Sequence, residues 1–269
     1  MAGIAAETLR SGISIGRVID RGLRAVAANP LPIAALAFVF GTVPEMMLVY
    51  ALHRSAIGAP TGLEIGSDAM MLLAVFLWVA TSVVLGTLMQ GSLARAVSTD
   101  ALEGKVRPFE LVTGALGHAP RLLALGGLMG LCVVATAPLV VPSLLLCLAW
   151  NVAGSVLAEE GRGPIAALRR SAELTRGVRW RVLGLTLVLF LFSAAAMTST
   201  GLIGKTLFVD GNGIELAASG VWRPARLAFD AAAITVLRAV WGAVQAALYG
   251  ELRASKEEGA PDQLAAIFA

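Results

Sequence analysis

Six stretches of about 20 apolar residues, with arginine or lysine in every connection but that between the third and fourth, constrain this chain more than any other feature. A helix of about 20 apolar residues crosses the hydrocarbon core of a bilayer, and in that solvent every backbone N–H and C=O must be satisfied internally. The first stretch lies near 31–52 and the second near 69–94. The block from Leu122 to Leu157 is too long for one crossing and reads as a hairpin, 122–139 and 141–158, broken around Ala137-Pro138 and Pro142. The fifth and sixth stretches lie near 181–203 and 228–250. The fold class expected is therefore an all-α, polytopic transmembrane bundle, one integral membrane domain over 1–269.

Composition supports the same solvent. Charged residues make up 14% of the 269 residues and hydrophobic residues 57%, against about 25% charged in a soluble domain. The net charge of +3 does not point to nucleic acid, because the basic residues sit between apolar stretches and form no continuous stripe. Their distribution sets an orientation instead. Sixteen of the Lys and Arg residues fall on the side holding both termini and four on the other, with Arg238 inside a span. By the positive-inside rule both termini are expected in the cytoplasm of a bacterial inner membrane. The first apolar run begins near Leu31 behind a charged segment, which does not read as a signal peptide.

The basic connections carry a further pattern. In 14–28, Ile15, Val18, Ile19, Gly22, Leu23 and Val26 recur at helical spacing, and Arg17, Asp20, Arg21 and Arg24 occupy the opposite face. That is an amphipathic helix suited to an anionic headgroup layer. Pro108 opens a second such segment with Phe109, Val112 and Leu116 on one face. Pro164 opens a third, with Ile165, Leu168 and Ala172 expected inward and Arg169, Arg170, Glu173 and Arg176 outward. Each amphipathic helix precedes a transmembrane pair, which reads as a threefold repeat of units 14–94, 107–158 and 164–250.

Residues 157–184 contain Glu159 or Glu160 after a span, Gly163-Pro164, Leu168-Arg169-Arg170-Ser171, Leu174-Thr175-Arg176-Gly177 and Trp180. The chain closes with Tyr249, Glu251-Leu252-Arg253 and Lys256-Glu257-Glu258-Gly259. Together these elements, which cover about the C-terminal half, resemble the glycerophosphoryl diester phosphodiesterase membrane-domain family and related bacterial membrane proteins. In fused members the phosphodiesterase chemistry belongs to a separate soluble barrel with histidines and carboxylates around a metal. This chain has two histidines, so the resemblance implies the membrane module alone, tied to lipid or envelope processes, and no hydrolase.

Charged residues inside spans are the usual markers of function in membrane proteins, and three qualify: Glu45, Asp230 and Arg238. Asp230 and Arg238 lie about 12 Å apart along one helix, so Glu45 is the better partner for Arg238. A relay or a substrate contact stands against a structural ion pair. Gln90, Asn151 and Gln245 suit interhelical hydrogen bonds, and Gly126 and Gly130 a close helix contact. Gly204-Lys205-Thr206 lacks the first glycine of a phosphate loop, and Asp210-Gly211-Asn212-Gly213 has Ile214 where a calcium ligand belongs. Cys132 and Cys147 read as buried free thiols, and His53 and His118 have no ligand spacing. No catalytic set, metal or cofactor is expected.

The function expected is non-enzymatic: engagement of anionic lipid, or of a membrane protein partner, through Arg17, Arg21, Arg24, Arg169, Arg170, Arg176, Arg179 and Arg181. The rival is a transporter or channel for a small or lipid-like solute that passes Glu45, Asp230 and Arg238.

Overall fold

The computed structural model describes residues 14–48, 67–97, 108–208 and 224–257, all helix or short turn. In chain order the helices are α1 (Ile15–Ala28), α2 (Pro30–Ala37), α3 (Ser67–Val97), α4 (Pro108–Thr136), α5 (Val140–Ala149), α6 (Ala153–Glu160), α7 (Pro164–Thr175), α8 (Arg179–Leu207) and α9 (Pro224–Glu257). A π-turn over Phe38–Thr42 carries α2 into further helix over 43–48. Six helical stretches are long and apolar enough to cross a membrane: Pro30–Leu48, Val75–Ala94, Gly117–Thr136, Val140–Glu160, Arg179–Leu207 and Pro224–Lys256. This is the all-α bundle of a multi-pass membrane protein.

Local sequence explains most of the boundaries. Asn29 precedes Pro30, whose ring disfavours helical backbone before it, and the chain turns there between α1 and α2. Pro44 lacks the N–H that would close the preceding turn, and its ring would crowd the carbonyl four residues back. The π-turn lies just before it, with the Val43 N–H bonded to the Phe38 carbonyl. Gly161 and Gly177 take the left-handed conformation, at φ 63° and 90°, and end α6 and α7.

α3 and α4 form the most extensive helix pair. Their approach depends on Gly126: a methyl there would lie 2.8 Å from the Val84 Cα and collide with the Thr87 hydroxyl. Around this pair α6 and α9 complete a core whose fully buried side chains include Leu93, Leu122, Leu125, Leu157 and Leu248. Outside it, Val140, Val141, Leu144 and Leu145 on α5 and Leu187, Val188, Phe190, Leu191 and Phe192 on α8 stay uncovered by protein. Apolar belts of this kind are what lipid covers.

Three expectations change. The segment opened by Pro108 is no separate interfacial helix, because α4 runs unbroken from Pro108 through Pro120 to Thr136 and merges with the third span. The fourth span is two helices: α5 stops at Ala149, and Trp150, Asn151 and Val152 form a turn before α6. Cys147 is exposed on the outer face of α5 and not buried, while Cys132 is half-buried, and both are free.

The two glycines at 126 and 127 separate packing from helix propensity. Gly126→Ala should lower the thermal unfolding midpoint in detergent, an overpacking cost of about 1–3 kcal/mol. Gly127, with nothing near its missing Cβ, should tolerate Ala without loss.

Candidate functional site

The break in the fourth span exposes backbone groups that a continuous helix would satisfy. The carbonyl of Ala149 accepts from the Ser171 hydroxyl at 2.9 Å and from the Thr175 hydroxyl at 3.4 Å. The carbonyl of Asn151 accepts from the Gln90 side chain at 2.7 Å, and the Asn151 amide donates to Thr186 at 3.4 Å. Thr175 also bonds within its own helix, to the Ser171 carbonyl at 3.0 Å, whereas Ser171 reaches back to the broken span.

That reach sets the rotation of α7. Ala167, Leu168, Ser171, Leu174 and Thr175 are buried, while Ile165 is 71% exposed. The expectation that Ile165 and Ala172 face inward is therefore corrected: the buried face is turned toward Ser171 and Thr175, and Ala172 is half-buried. Ile165, Arg169 and Arg176 line the outer stripe, and Trp180, just after the Gly177 turn, is 85% exposed. Arg170 turns the other way. Its Nε donates to Glu160 at 3.4 Å, and Glu160 also pairs with Arg162 at 2.6 Å and accepts from the Tyr249 hydroxyl at 3.4 Å. Glu160 thus ties α6, α7 and α9 together at the basic end of the bundle. Arg179 and Arg181 begin α8; Arg181 is exposed, and Arg179 keeps its Nε buried.

α1 joins the same end. Its apolar face, Val18, Gly22 and Ala25, is buried, and a methyl on Gly22 would fall 2.8 Å from the Val244 Cα. So α9, and not a headgroup layer, covers the stripe that amphipathicity assigned to the membrane. Arg17 pairs with Glu251 at 3.1 Å, and Arg24 with Asp20 at 2.6 Å. Arg21 ends beside Gly250. Half-exposed pairs of this kind are worth about 0–1 kcal/mol each, so the glycine-mediated packing holds α1 more firmly than its charges do.

Within the apolar length, Glu45 and Arg238 meet across 193 residues of chain. Arg238 donates to Glu45 Oε2 from Nη2 at 2.7 Å and from Nε at 3.1 Å. The π-turn makes this possible, because it turns Gly41 and Thr42 toward α9. The Arg238 stem then passes 3.5 Å from where a methyl on Gly41 would stand, and the hydroxyls of Thr42 and Thr235 meet at 2.8 Å. Asp230 does not share this site. It accepts from Arg226 Nε at 2.8 Å, one turn away on α9. The four-residue spacing of Arg226 and Asp230 is the signal in the sequence that brings them together. Its guanidinium lies flush against Gly204 and over the Phe208 ring, 5.9 Å from the centroid, which ties α9 to the end of α8.

Among the described residues no three His, Cys, Asp or Glu side chains gather to hold a metal. His53 and the segment Asp210–Gly213 lie outside the described residues, as does the closing Glu258-Gly259. No family model matches the chain, and neither a curated protein nor a solved structure matches it.

The Glu45–Arg238 pair has an ordered expectation. Removing one partner of a buried pair costs about 3–5 kcal/mol, and these side chains are 15% and 22% exposed, so somewhat less is expected here. Glu45→Gln and Arg238→Met alone should each lower the unfolding midpoint, and the double variant should recover part of the loss. Two independent losses that simply add would show that the pair is uncoupled.

Proposed function

We propose that this protein is a non-enzymatic integral membrane protein that engages anionic lipid headgroups at its basic end, through the outer stripe of α7 and the turn into α8. The observation that carries the reading is the exposure of Trp180 and Ile165 beside the exposed Arg169 and Arg176. Tryptophan settles at the level of lipid headgroups, and each arginine near an anionic surface contributes about 1 kcal/mol. Exposed apolar side chains interspersed with guanidinium groups fit that layer better than they fit water.

Arg170 is assigned a different part. It is turned to Glu160, so it holds α7 in place and leaves the lipid contact to Arg169 and Arg176. Arg17, Arg21 and Arg24 on α1 add positive charge at the same end. Both termini in the cytoplasm of a bacterial inner membrane is the orientation favoured by sixteen basic residues against four. It places this end against the leaflet whose anionic lipids attract basic segments. The resemblance of residues 157–184 to the membrane module of the phosphodiesterase family agrees with a lipid-related role.

Transport of a small or lipid-like solute is the second reading, favoured by two backbone irregularities within spans. π-turns inside helices and interrupted spans both recur at functional sites of membrane proteins.

Native mass spectrometry of the full chain released from mixed phosphatidylcholine and phosphatidylglycerol tests the first reading. Retained phosphatidylglycerol, lost in Arg169→Gln/Arg176→Gln and weakened in Trp180→Ala, is the outcome expected. Arg170→Gln should lower stability and leave lipid selectivity in place. Equal retention of both lipids, or selectivity indifferent to Arg169 and Arg176, would overturn the proposal.

A further inference from the structure

The face of α6 that continues from the break in the fourth span carries a run of oxygen atoms left without partners. Ser155 and Glu159 lie four residues apart, the spacing that stacks side chains on one side of a helix, and Asn151 stands in the turn that leads into it. Among the described residues, Asn151 Oδ1, Ser155 Oγ and Glu159 Oε1 are buried and have no hydrogen-bond partner. The flanking helices add two more such atoms, Gln90 Oε1 on α3 and Gln245 Oε1 on α9. Ser155 and Gln245 are 0% and 1% exposed, and α6 packs along α3 and touches α9.

Turning over the Gln90 amide does not repair this, because its nitrogen donates to the Asn151 carbonyl at 2.7 Å and the reverse would set two acceptors against each other. The Asn151 amide meets the Thr186 hydroxyl at 3.4 Å, which can donate or accept, so either orientation leaves one Asn151 amide atom unpaired. Gln90 Oε1 is also pressed close to α6: a methyl on Gly154 would stand 3.1 Å from it. Gln90 Oε1 and the Glu159 carboxylate are acceptors, while the Ser155 hydroxyl and the Asn151 and Gln245 amides can be met by a donor or an acceptor. A guest that satisfies them all must both donate and accept hydrogen bonds and must be small.

We propose that this seam holds ordered water, extending from Glu159 at the basic end of the bundle to the break at Asn151. The spacing suits that guest. Ser155 and Glu159 stand about 6 Å apart along α6, and one water making two hydrogen bonds of about 2.8–3.0 Å spans nearly that distance. Water can donate to the carbonyl and carboxylate oxygens and still accept from the Ser155 hydroxyl. Buried water in proteins takes up this same task, serving polar groups that the chain leaves unpaired. The inference is independent of the lipid reading, since it concerns the inside of the bundle and not its headgroup face.

Radiolytic hydroxyl-radical footprinting of the full chain in lipid nanodiscs reads such water directly, because radicals formed from bound water modify the side chains beside it. Val156 and Tyr249, buried at 0% and 5% exposure, should be modified, whereas Leu122 and Leu125, both at 0%, should not. Ser155→Val should reduce the modification of Val156 severalfold, and Gln245→Leu should do the same for Tyr249 if the first variant does not fold. Absence of modification at Val156 and Tyr249 in the unaltered chain would overturn the inference. So would modification that is unchanged in a folded variant, since breathing of the bundle and not bound water would then be its source.

Discussion

A backbone carbonyl without a donor is costly in an apolar solvent, and the arrangement of this bundle follows from meeting that demand where a helix is interrupted. The fourth span breaks at Trp150–Val152, and the two carbonyls nearest the break are each served by side chains from elsewhere in the chain. Serving Ala149 requires Ser171 and Thr175 to face inward, which fixes the roll of α7. The roll of α7 in turn leaves Ile165, Arg169 and Arg176 outside and brings Arg170 to Glu160. The outer chemistry of the basic end is thus a consequence of an interior hydrogen bond.

The two ends of the bundle are held by different means. At the basic end several elements converge: α1 and α9 through Gly22 and Val244, α6, α7 and α9 through Glu160, and α9 with the α7–α8 turn through Lys256 and the Arg176 carbonyl. At the other end, α8 is joined to α9 by Arg226 with Gly204, Phe208 and Asp230. The Glu45–Arg238 pair sits between, cancelling its own charge, so that two ionised groups can reside in an apolar stretch without leaving a net charge there.

The periodic features of this architecture were legible in the sequence, and the features that depend on distant partners were not. Length and hydropathy located the spans, since a lipid-facing helix must be apolar wherever it packs. The pairing of Glu45 with Arg238 could be anticipated because an isolated charge in a span needs a neutralising partner. The interruption at Trp150–Val152 carries neither glycine nor proline, and it is stable because Gln90, Ser171 and Thr175 supply its hydrogen bonds from positions up to 61 residues away. The inward face of α7 was misassigned for a related reason: two hydroxyls outrank Ile165 for the buried side, an exchange that an apolarity count cannot detect. Proline alone does not decide a break: α4 runs through Pro120, whereas Pro44 follows the π-turn. The amphipathicity of α1 was real, but periodicity does not distinguish a stripe destined for lipid from one destined for another helix.

α8 is the least enclosed of the six spanning stretches, with 17% of its apolar window covered by protein against 28–44% for the others. It is fastened near its beginning, where Ile15 meets Gly184 and Asn151 meets Thr186, and again near its end, where Arg226 rests on Gly204. Its apolar stretch, Val182–Ile203, extends about 33 Å, close to the roughly 30 Å of a typical hydrocarbon core, with Arg179 and Arg181 at one end and Lys205 at the other. A helix so fastened at two points and open between them leaves its middle turns to be covered by lipid and not by protein.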